Sequence, residues 1–540
     1  MSDNGSSIRS SAAGGGSAVV SKLGLDPGVV EACRAAAKQI TQDVGEQIAG
    51  HTTLSVERSV TRMLGVDGAD DLEVPLPNVL VDHVHEQSGL ARGIAYWLGN
   101  AMLQTGRTPQ QIAEAVSAKE LDLMQLDFAE DEAIHAHVLD ACAGNLRDIS
   151  RRFDERRAMR ERLGEAQTPL RYVLTATGDV YEDVVHAKAV AEAGGDIVAV
   201  IRSTAQSLLD YVPFGPTTEG YGGTFATQAN FRIMREAMDE WSESHGRYVR
   251  LSSFCSGLCM SEIAAMGAWE GFDNMVNDAL YGILYRDINP VRGLIDQRVS
   301  RMINGHFGVV INTGEDNYLR TADAIEAAHT VTASQFINHQ LARDSGVPDA
   351  QIALGDAFEI DVPVRNGLLY EWAQAQLTRE LFPDCPVKYM PPTRHMDGNL
   401  FRTHAADALF NLVTVATGQG IQTIGVPTEG IFTPHIHDRV LGLQNVDYVF
   451  NAAADLGDEI EFKRGGIIQT RAQEVLAGAR ELLEQIAQVG LFKALEEATF
   501  GDVSRHLDEG RGIDGIVATR TGDLGYYNPL VELMHEASYA

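Results

Sequence analysis

Residues 278–289 read DALYGILYRDIN. The stretch starts polar, runs through Leu280–Tyr285 as an apolar, strand-like segment, and ends in Arg286-Asp287. Tyr281, Arg286 and Asp287 therefore fall on or just past an apolar strand, where an α/β barrel gathers its chemistry. Taken alone, the stretch is equally an ordinary buried strand with one snorkelling arginine. The surrounding pattern separates the two.

From Leu170 to Asn451, short apolar runs alternate with longer amphipathic ones. The candidate strands are Arg171–Ala176, Asp196–Ile201, Tyr248–Ser252, Ala279–Arg286, Gly308–Asn312, Gln351–Leu354, Val387–Met390 and Gln422–Val426. Helical segments follow most of them: Glu182–Ala193, Phe225–Glu243, Glu262–Glu270, Ala322–Arg343 and Ala405–Thr417. Eight βα units over about 280 residues match a (β/α)8 TIM-type barrel, with Ala279–Arg286 as its fourth strand. A doubly wound open sheet alternates in the same way, and eight repeats favour the barrel.

The flanks read as helical additions. Residues 1–22, rich in Ser, Gly and Ala, form a disordered tail. Residues 23–165 form a helical accessory lobe, 166–455 the barrel and 456–540 a C-terminal helical extension. Within the lobe, Pro27 opens a helix to about Ala49, and Thr53–Leu64 has helical spacing. Thr108 and Gln111 make a capping box for Pro109–Ala118, and Asp131–Leu163 is one long helix. The mixed charges of Arg151–Arg162 are a solvated face. His135 and His137 point to different sides of that helix and make a poor metal pair.

Composition narrows the function classes. A chain of 540 residues with 44% hydrophobic and 22% charged residues is globular. A net charge of −32 argues against nucleic-acid binding through the general field, while leaving room for a local basic pocket. The five cysteines, Cys33, Cys142, Cys255, Cys259 and Cys385, are odd in number and scattered, so no disulfide framework is expected. With no 18-residue apolar run and no signal-peptide core, the expected location is cytoplasmic, with no membrane partner.

The strand ends can be read as one rim. They present Thr177-Gly178-Asp179, Arg202-Ser203 with Ser207, Ser253 and Ser256, and Tyr281 with Arg286. Asp316-Asn317, Glu359, Lys388-Tyr389 and Glu429 with His435 complete it. Arg202 offers a bidentate fork for a phosphate, Ser203 and Ser207 complete a cradle, and Tyr281 can stack on a flat ring. Pyridoxal phosphate fits this set. Such chemistry needs a lysine, and 170–451 holds only Lys188, mid-helix, and Lys388, at a strand end. Lys388 is thus either a Schiff-base lysine or a carboxylate binder. Cys255-x-x-x-Cys259 lacks the third cysteine of a radical S-adenosylmethionine cluster, because Glu262 stands there. His435-x-His437 lacks a third ligand, so no metal site is expected. Gly222-Gly223 has no dinucleotide-fingerprint context.

The chain resembles the lysine 5,6-aminomutase α-subunit family over about residues 23–535. The resemblance is carried by HTTLSVERSVTRMLGVDG (51–68), QSLLDYVPFGPTTEGYGGTFATQ (206–228), CSGLCMSEIAAMGA (255–268), NDALYGILYRDIN (277–289), INTGEDNYL (311–319), ASQFIN (333–338) and KYMPPT (388–393). It implies a pyridoxal-phosphate-binding barrel that also needs adenosylcobalamin, and a radical shift of the terminal amino group of D-lysine or L-β-lysine from C6 to C5. It further implies a partner β subunit that carries the cobalamin and supplies the Schiff-base lysine, in an α2β2 assembly. Lys388 would then not be that lysine. By matching motif, Arg202, Ser203, Ser207, Ser256, Tyr281, Arg286 and Asn317 hold the cofactor. Tyr281 lies against its ring and Ser256 at the ring nitrogen. Tyr281, Asp316 and Lys388 are the implied catalytic set, the last two a pair of opposite charge near a zwitterionic substrate. Ala205 stands where the family has Gly. Glu359, Glu429 and His435 are rim candidates without an implied role. The alternatives are a D-ornithine 4,5-aminomutase-type subunit, a stand-alone Schiff-base barrel lyase using Lys388, and a non-catalytic subunit that docks a cobalamin protein.

Overall fold

The structure, a computed structural model, describes residues 21–201, 206–315, 325–356, 360, 364–391, 396–500, 503–522 and 525–536. Eight short strands follow one another along the chain: β1 Leu170–Leu174, β2 Ile197–Ile201, β3 Arg250–Phe254, β4 Asn274–Val276, β5 Val310–Asn312, β6 in two pieces, Ile352–Ala353 and Gly355–Asp356, β7 Lys388–Tyr389 and β8 Ile421–Thr423. Each pairs in parallel with the next, and β8 pairs with β1 in the register Thr423↔Tyr172. The first piece of β6 pairs with β5 and the second with β7, and the Leu354 carbonyl between them accepts from Lys388 N at 2.8 Å. The ring is closed, as the eight-fold alternation predicts.

Period-two alternation decides what each strand buries. Leu170 and Tyr172 of β1, Ile197 and Ala199 of β2, Ala353 of β6 and Ile421 of β8 pack on one another as the barrel interior. Val173, Val198, Leu251, Met275, Ile311 and Ile352 join the core beneath the surrounding helices.

One expectation is corrected. Ala279–Arg286 is a helix, and the fourth strand is the preceding Asn274–Val276. The Asp278 carboxylate caps the helix, accepting from Leu280 N at 3.0 Å and Tyr281 N at 3.1 Å. Asp287, in the left-handed region at φ 59, ends it. Ala279, Leu280, Ile283 and Leu284 are buried, a spacing that a helix face satisfies as well as a short strand does. The other seven strands overlap their expected runs, with ends shifted by a few residues.

Outside the barrel, Thr53 caps the helix Leu54–Met63, accepting from Val56 N at 3.1 Å. Ser55, Glu57, Arg58, Ser59, Thr61 and Arg62 of this helix are buried, because it packs against Met260–Glu270 of the barrel's outer layer. Its two arginines are accordingly paired: Arg62 with Glu262 at 2.7 Å, and Arg58 with Asp82 at 3.1 Å. Helix Pro27–Ile48 packs on Ile467–Val489, and both lie on Ala328–Asp344. His51–Thr53 pairs antiparallel with Ile516–Ala518. The helices Pro109–Ser117, with its Thr108–Gln111 capping box, and Asp131–Leu163 form where expected. No helix among the described residues is long and apolar enough to cross a membrane.

Candidate functional site

The C-terminal mouth of the barrel is built largely by the segments that follow β2, β3 and β4. After β2, Gln206 staples its loop by donating to the Ala226 carbonyl at 2.8 Å and accepting from Ala226 N. The loop after β3, Cys255-Ser256-Gly257-Leu258, lies directly on it. Leu258 N donates to the Ser207 carbonyl at 3.3 Å. A Cβ on Gly257, at φ +94, would fall 2.5 Å from Ser207 Cα, so only glycine allows this approach. Ser207 and Ser256 are thereby brought to one place. The short helix at Gln206–Leu208 also touches Ala279–Arg286, which adds Tyr281 and Arg286 to the same side of the mouth.

The donor set suits an anion with a flat ring. Arg286 donates to the Tyr281 hydroxyl at 3.0 Å, and its guanidinium carbon lies 5.2 Å from the Tyr281 ring centroid. Among the described residues, no carboxylate pairs with Arg286. Ser256 is half-buried, and its hydroxyl has no hydrogen-bond partner there. Beneath them, the barrel interior is polar in its upper layer. Tyr172 Oη and Ser252 Oγ are 3.1 Å apart, and Lys388 Nζ lies 5.2 Å from the Tyr172 ring centroid. Lys388 is 4% exposed, so it projects into the barrel rather than to solvent. Asn312 Oδ1 and Thr423 Oγ1 are buried on the same interior face without hydrogen-bond partners among the described residues. Buried polar atoms left in this way suit a polar occupant, so the residues fit a phosphorylated ring and a polar substrate.

Of the expected site residues, Ser207, Ser256, Tyr281 and Arg286 come together at the mouth, and Lys388 lies inside the barrel. Arg202, Ser203, Asp316, Asn317 and Glu359 lie outside the described residues. Glu429 is half-buried on the turn after β8, where its backbone N–H donates to the Val426 carbonyl at 3.0 Å. His435 is exposed at the start of the helix Ile436–Ala452, and its backbone N–H donates to Asp438 at 3.3 Å. Cys255 and Cys259 donate to different carbonyls, Met260 and Leu209, and burial raises both thiol pKa values. All five cysteines are free and buried.

Sequence reasoning passed over three residues. Asp407, on Leu400–Ala416, packs against Gly425 just beyond β8. Burial first, and then the nearby Glu429 carboxylate, raises its pKa to about 8. Asp210 and Arg292 form a salt bridge at 2.6 Å behind the Ser207 loop. The Arg292-x-x-x-Asp296 spacing on a helix was the one legible signal for that pair's surroundings.

The sequence model described as the D-lysine 5,6-aminomutase TIM-barrel domain of the alpha subunit matches residues 23–533. The chain is 54% identical over 516 residues to the lysine 5,6-aminomutase alpha subunit of Acetoanaerobium sticklandii, covering 96% of this chain and 99% of that one. It is 52% identical over 514 residues to the same subunit of Fusobacterium nucleatum, covering 95% and 99%. It is also 27% identical over 362 residues to the D-ornithine 4,5-aminomutase subunit beta of A. sticklandii, covering 66% of this chain and 48% of that one.

Proposed function

The chain belongs to the lysine 5,6-aminomutase α-subunit family, and from that premise we propose how its barrel serves the reaction. It is the barrel subunit of an isomerase that moves the terminal amino group of D-lysine or L-β-lysine from C6 to C5. The full-length identity to two curated α subunits carries this reading. Pyridoxal phosphate and adenosylcobalamin are its cofactors; when bound, the one offers a conjugated π-system to the migrating nitrogen and the other the initiating radical.

The chain's own residues bind and orient. Arg286 and Ser207, with Arg202, Ser203 and Asn317, hold the phosphate end through charge-assisted hydrogen bonds. The Tyr281 ring, whose hydroxyl accepts from Arg286 at 3.0 Å, would stack on the pyridine ring. Ser256 would face the ring nitrogen with a neutral hydroxyl, which does not raise that nitrogen's basicity as a carboxylate would. Lys388, inside the barrel, takes the substrate carboxylate, and Asp316 takes an ammonium. A partner β subunit carries the cobalamin and supplies the Schiff-base lysine, in an α2β2 assembly.

A second reading rests on the similarity to the D-ornithine enzyme. One methylene in a fitted pocket changes binding by about 1–3 kcal/mol, so substrate choice is a modest energetic difference. The deciding experiment compares turnover of D-lysine, L-β-lysine and D-ornithine by the chain reconstituted with its partner subunit and both cofactors. Preference for a lysine isomer by tenfold or more supports the first reading, and preference for D-ornithine supports the second.

A further inference from the structure

Arg292 is fully buried, and each of its five N–H groups has an acceptor. Nε donates to Asp296 at 2.9 Å. One terminal nitrogen donates to Asp210 Oδ2 at 2.9 Å and the Gly512 carbonyl at 3.1 Å. The other donates to Asp210 Oδ1 at 2.6 Å and the Leu258 carbonyl at 3.1 Å. Asp210 therefore receives a bidentate fork, the geometry that holds a carboxylate most firmly in orientation.

Two of these acceptors, the Asp210 carboxylate and the Leu258 carbonyl, lie on the two loops that carry the candidate cofactor hydroxyls. Asp210 is three residues past Ser207, and Leu258 is two residues past Ser256. The loops touch at Gly257 and Ser207 and share the Leu258-to-Ser207 hydrogen bond. A third element enters from the helical lobe, where Arg58 donates to the Asp210 carbonyl at 2.6 Å. Arg58 is itself 3% exposed, so this contact is also sheltered from water. A planar fork held by Asp296 from its own helix thus ties the Ser207 loop to the Ser256 loop.

We propose that Arg292 and Asp210 are positioning residues that register the Ser207 loop against the Ser256 loop, so that one hydroxyl meets a phosphate and the other the ring of the same ligand. The proposal rests on the pyridoxal-phosphate reading above and deepens it. Neither residue touches the ligand. They act by keeping two donors at a spacing that a phosphorylated pyridine requires.

The test is non-covalent binding of pyridoxamine 5′-phosphate and of pyridoxamine to the full chain with its partner subunit, by equilibrium dialysis, alongside thermal unfolding. The variants are Asp210→Asn, Arg292→Lys and Asp82→Asn. Asp210 is the gentler site, its side chain being 29% exposed. Asp82→Asn removes another partner of Arg58 without touching the fork. Asp210→Asn is expected to weaken pyridoxamine 5′-phosphate about tenfold or more and pyridoxamine much less. Its selectivity for the phosphate then collapses while the melting temperature stays within a few degrees. Asp82→Asn is expected to bind both probes as the unaltered protein does. The proposal is overturned if folded Asp210→Asn and Arg292→Lys keep the unaltered selectivity, or if both probes weaken equally. If the unaltered protein itself shows no preference for the phosphorylated probe, the cofactor reading falls, and this inference with it. If Arg292→Lys fails to fold, the Asp210→Asn selectivity decides alone.

Discussion

Ser256 and Asp407 illustrate opposite uses of a polar side chain at this mouth. Ser256 offers a neutral hydroxyl with no protein partner among the described residues. On the proposed cofactor reading, replacing it by Asp would put a carboxylate beside the ring nitrogen, which favours the protonated ring and carbanion-type chemistry. Ser256→Asp is expected to lower aminomutase turnover at least tenfold and to raise carbanion-type side products, measured by chromatography of the reaction mixture. An unchanged product profile contradicts the role. Arg286→Ala removes a cation that no described carboxylate shares. It is expected to cost about 1.5–3 kcal/mol of cofactor affinity, tenfold or more, in the same dialysis assay. Asp407 holds its proton because burial and Glu429 raise its pKa to about 8 from 3.8. Between those values the folded state keeps a proton that the unfolded state releases, so this group's contribution to stability falls as pH rises through that window. Asp407→Asn is expected to raise the melting temperature at pH 8.5 by roughly 2–4 °C and to flatten its decline from pH 5 upward. Parallel profiles for the two proteins would sink this account.

At the scale of elements, the helix Ala279–Arg286 carries two candidate site residues and is held at both ends. Asp278 caps its start, and Arg505 donates to the Ile283 and Leu284 carbonyls at 2.6 Å at its finish. Arg505→Ala is expected to destabilise the protein by about 2 kcal/mol and to speed hydrogen exchange across 279–286. Unchanged exchange there would show that the contact is incidental. This helix is also where the sequence misled. A run such as Ala279–Tyr285 has no polar residue to separate a period of 2 from one of 3.6. The strand that precedes it, Asn274–Val276, is too short and too polar at Asn274 to announce itself. The other strands were legible because each overlaps a short apolar run, and most of those runs are followed by an amphipathic helix. The Arg292–Asp210 fork was not, because its partners are 82 residues apart and meet only through the fold. Ser207 and Ser256 were legible as motif positions. Their juxtaposition depends on Gly257 and could not be read from either motif alone.

At the scale of the whole molecule, the barrel borrows rigidity from both ends of the chain. The N-terminal lobe reaches the Ser207 loop through Arg58, and the C-terminal segment reaches Arg292 through the Gly512 carbonyl. The mouth is thus fixed from outside the barrel, while the interior beneath it is polar at Tyr172, Ser252, Asn312 and Thr423. On the proposed reading, such a subunit binds and orients a cofactor while the covalent anchor comes from a partner. Among the described residues, Lys388, 4% exposed and set over Tyr172, is the one lysine inside the barrel. The most direct measurement is the visible absorbance of the chain with pyridoxal phosphate, before and after adding the proposed cobalamin-binding partner subunit. The account predicts that the Schiff-base band appears only with the partner and persists in Lys388→Ala. A band formed by this chain alone and lost in Lys388→Ala would contradict it, and would identify a barrel that makes its own Schiff base.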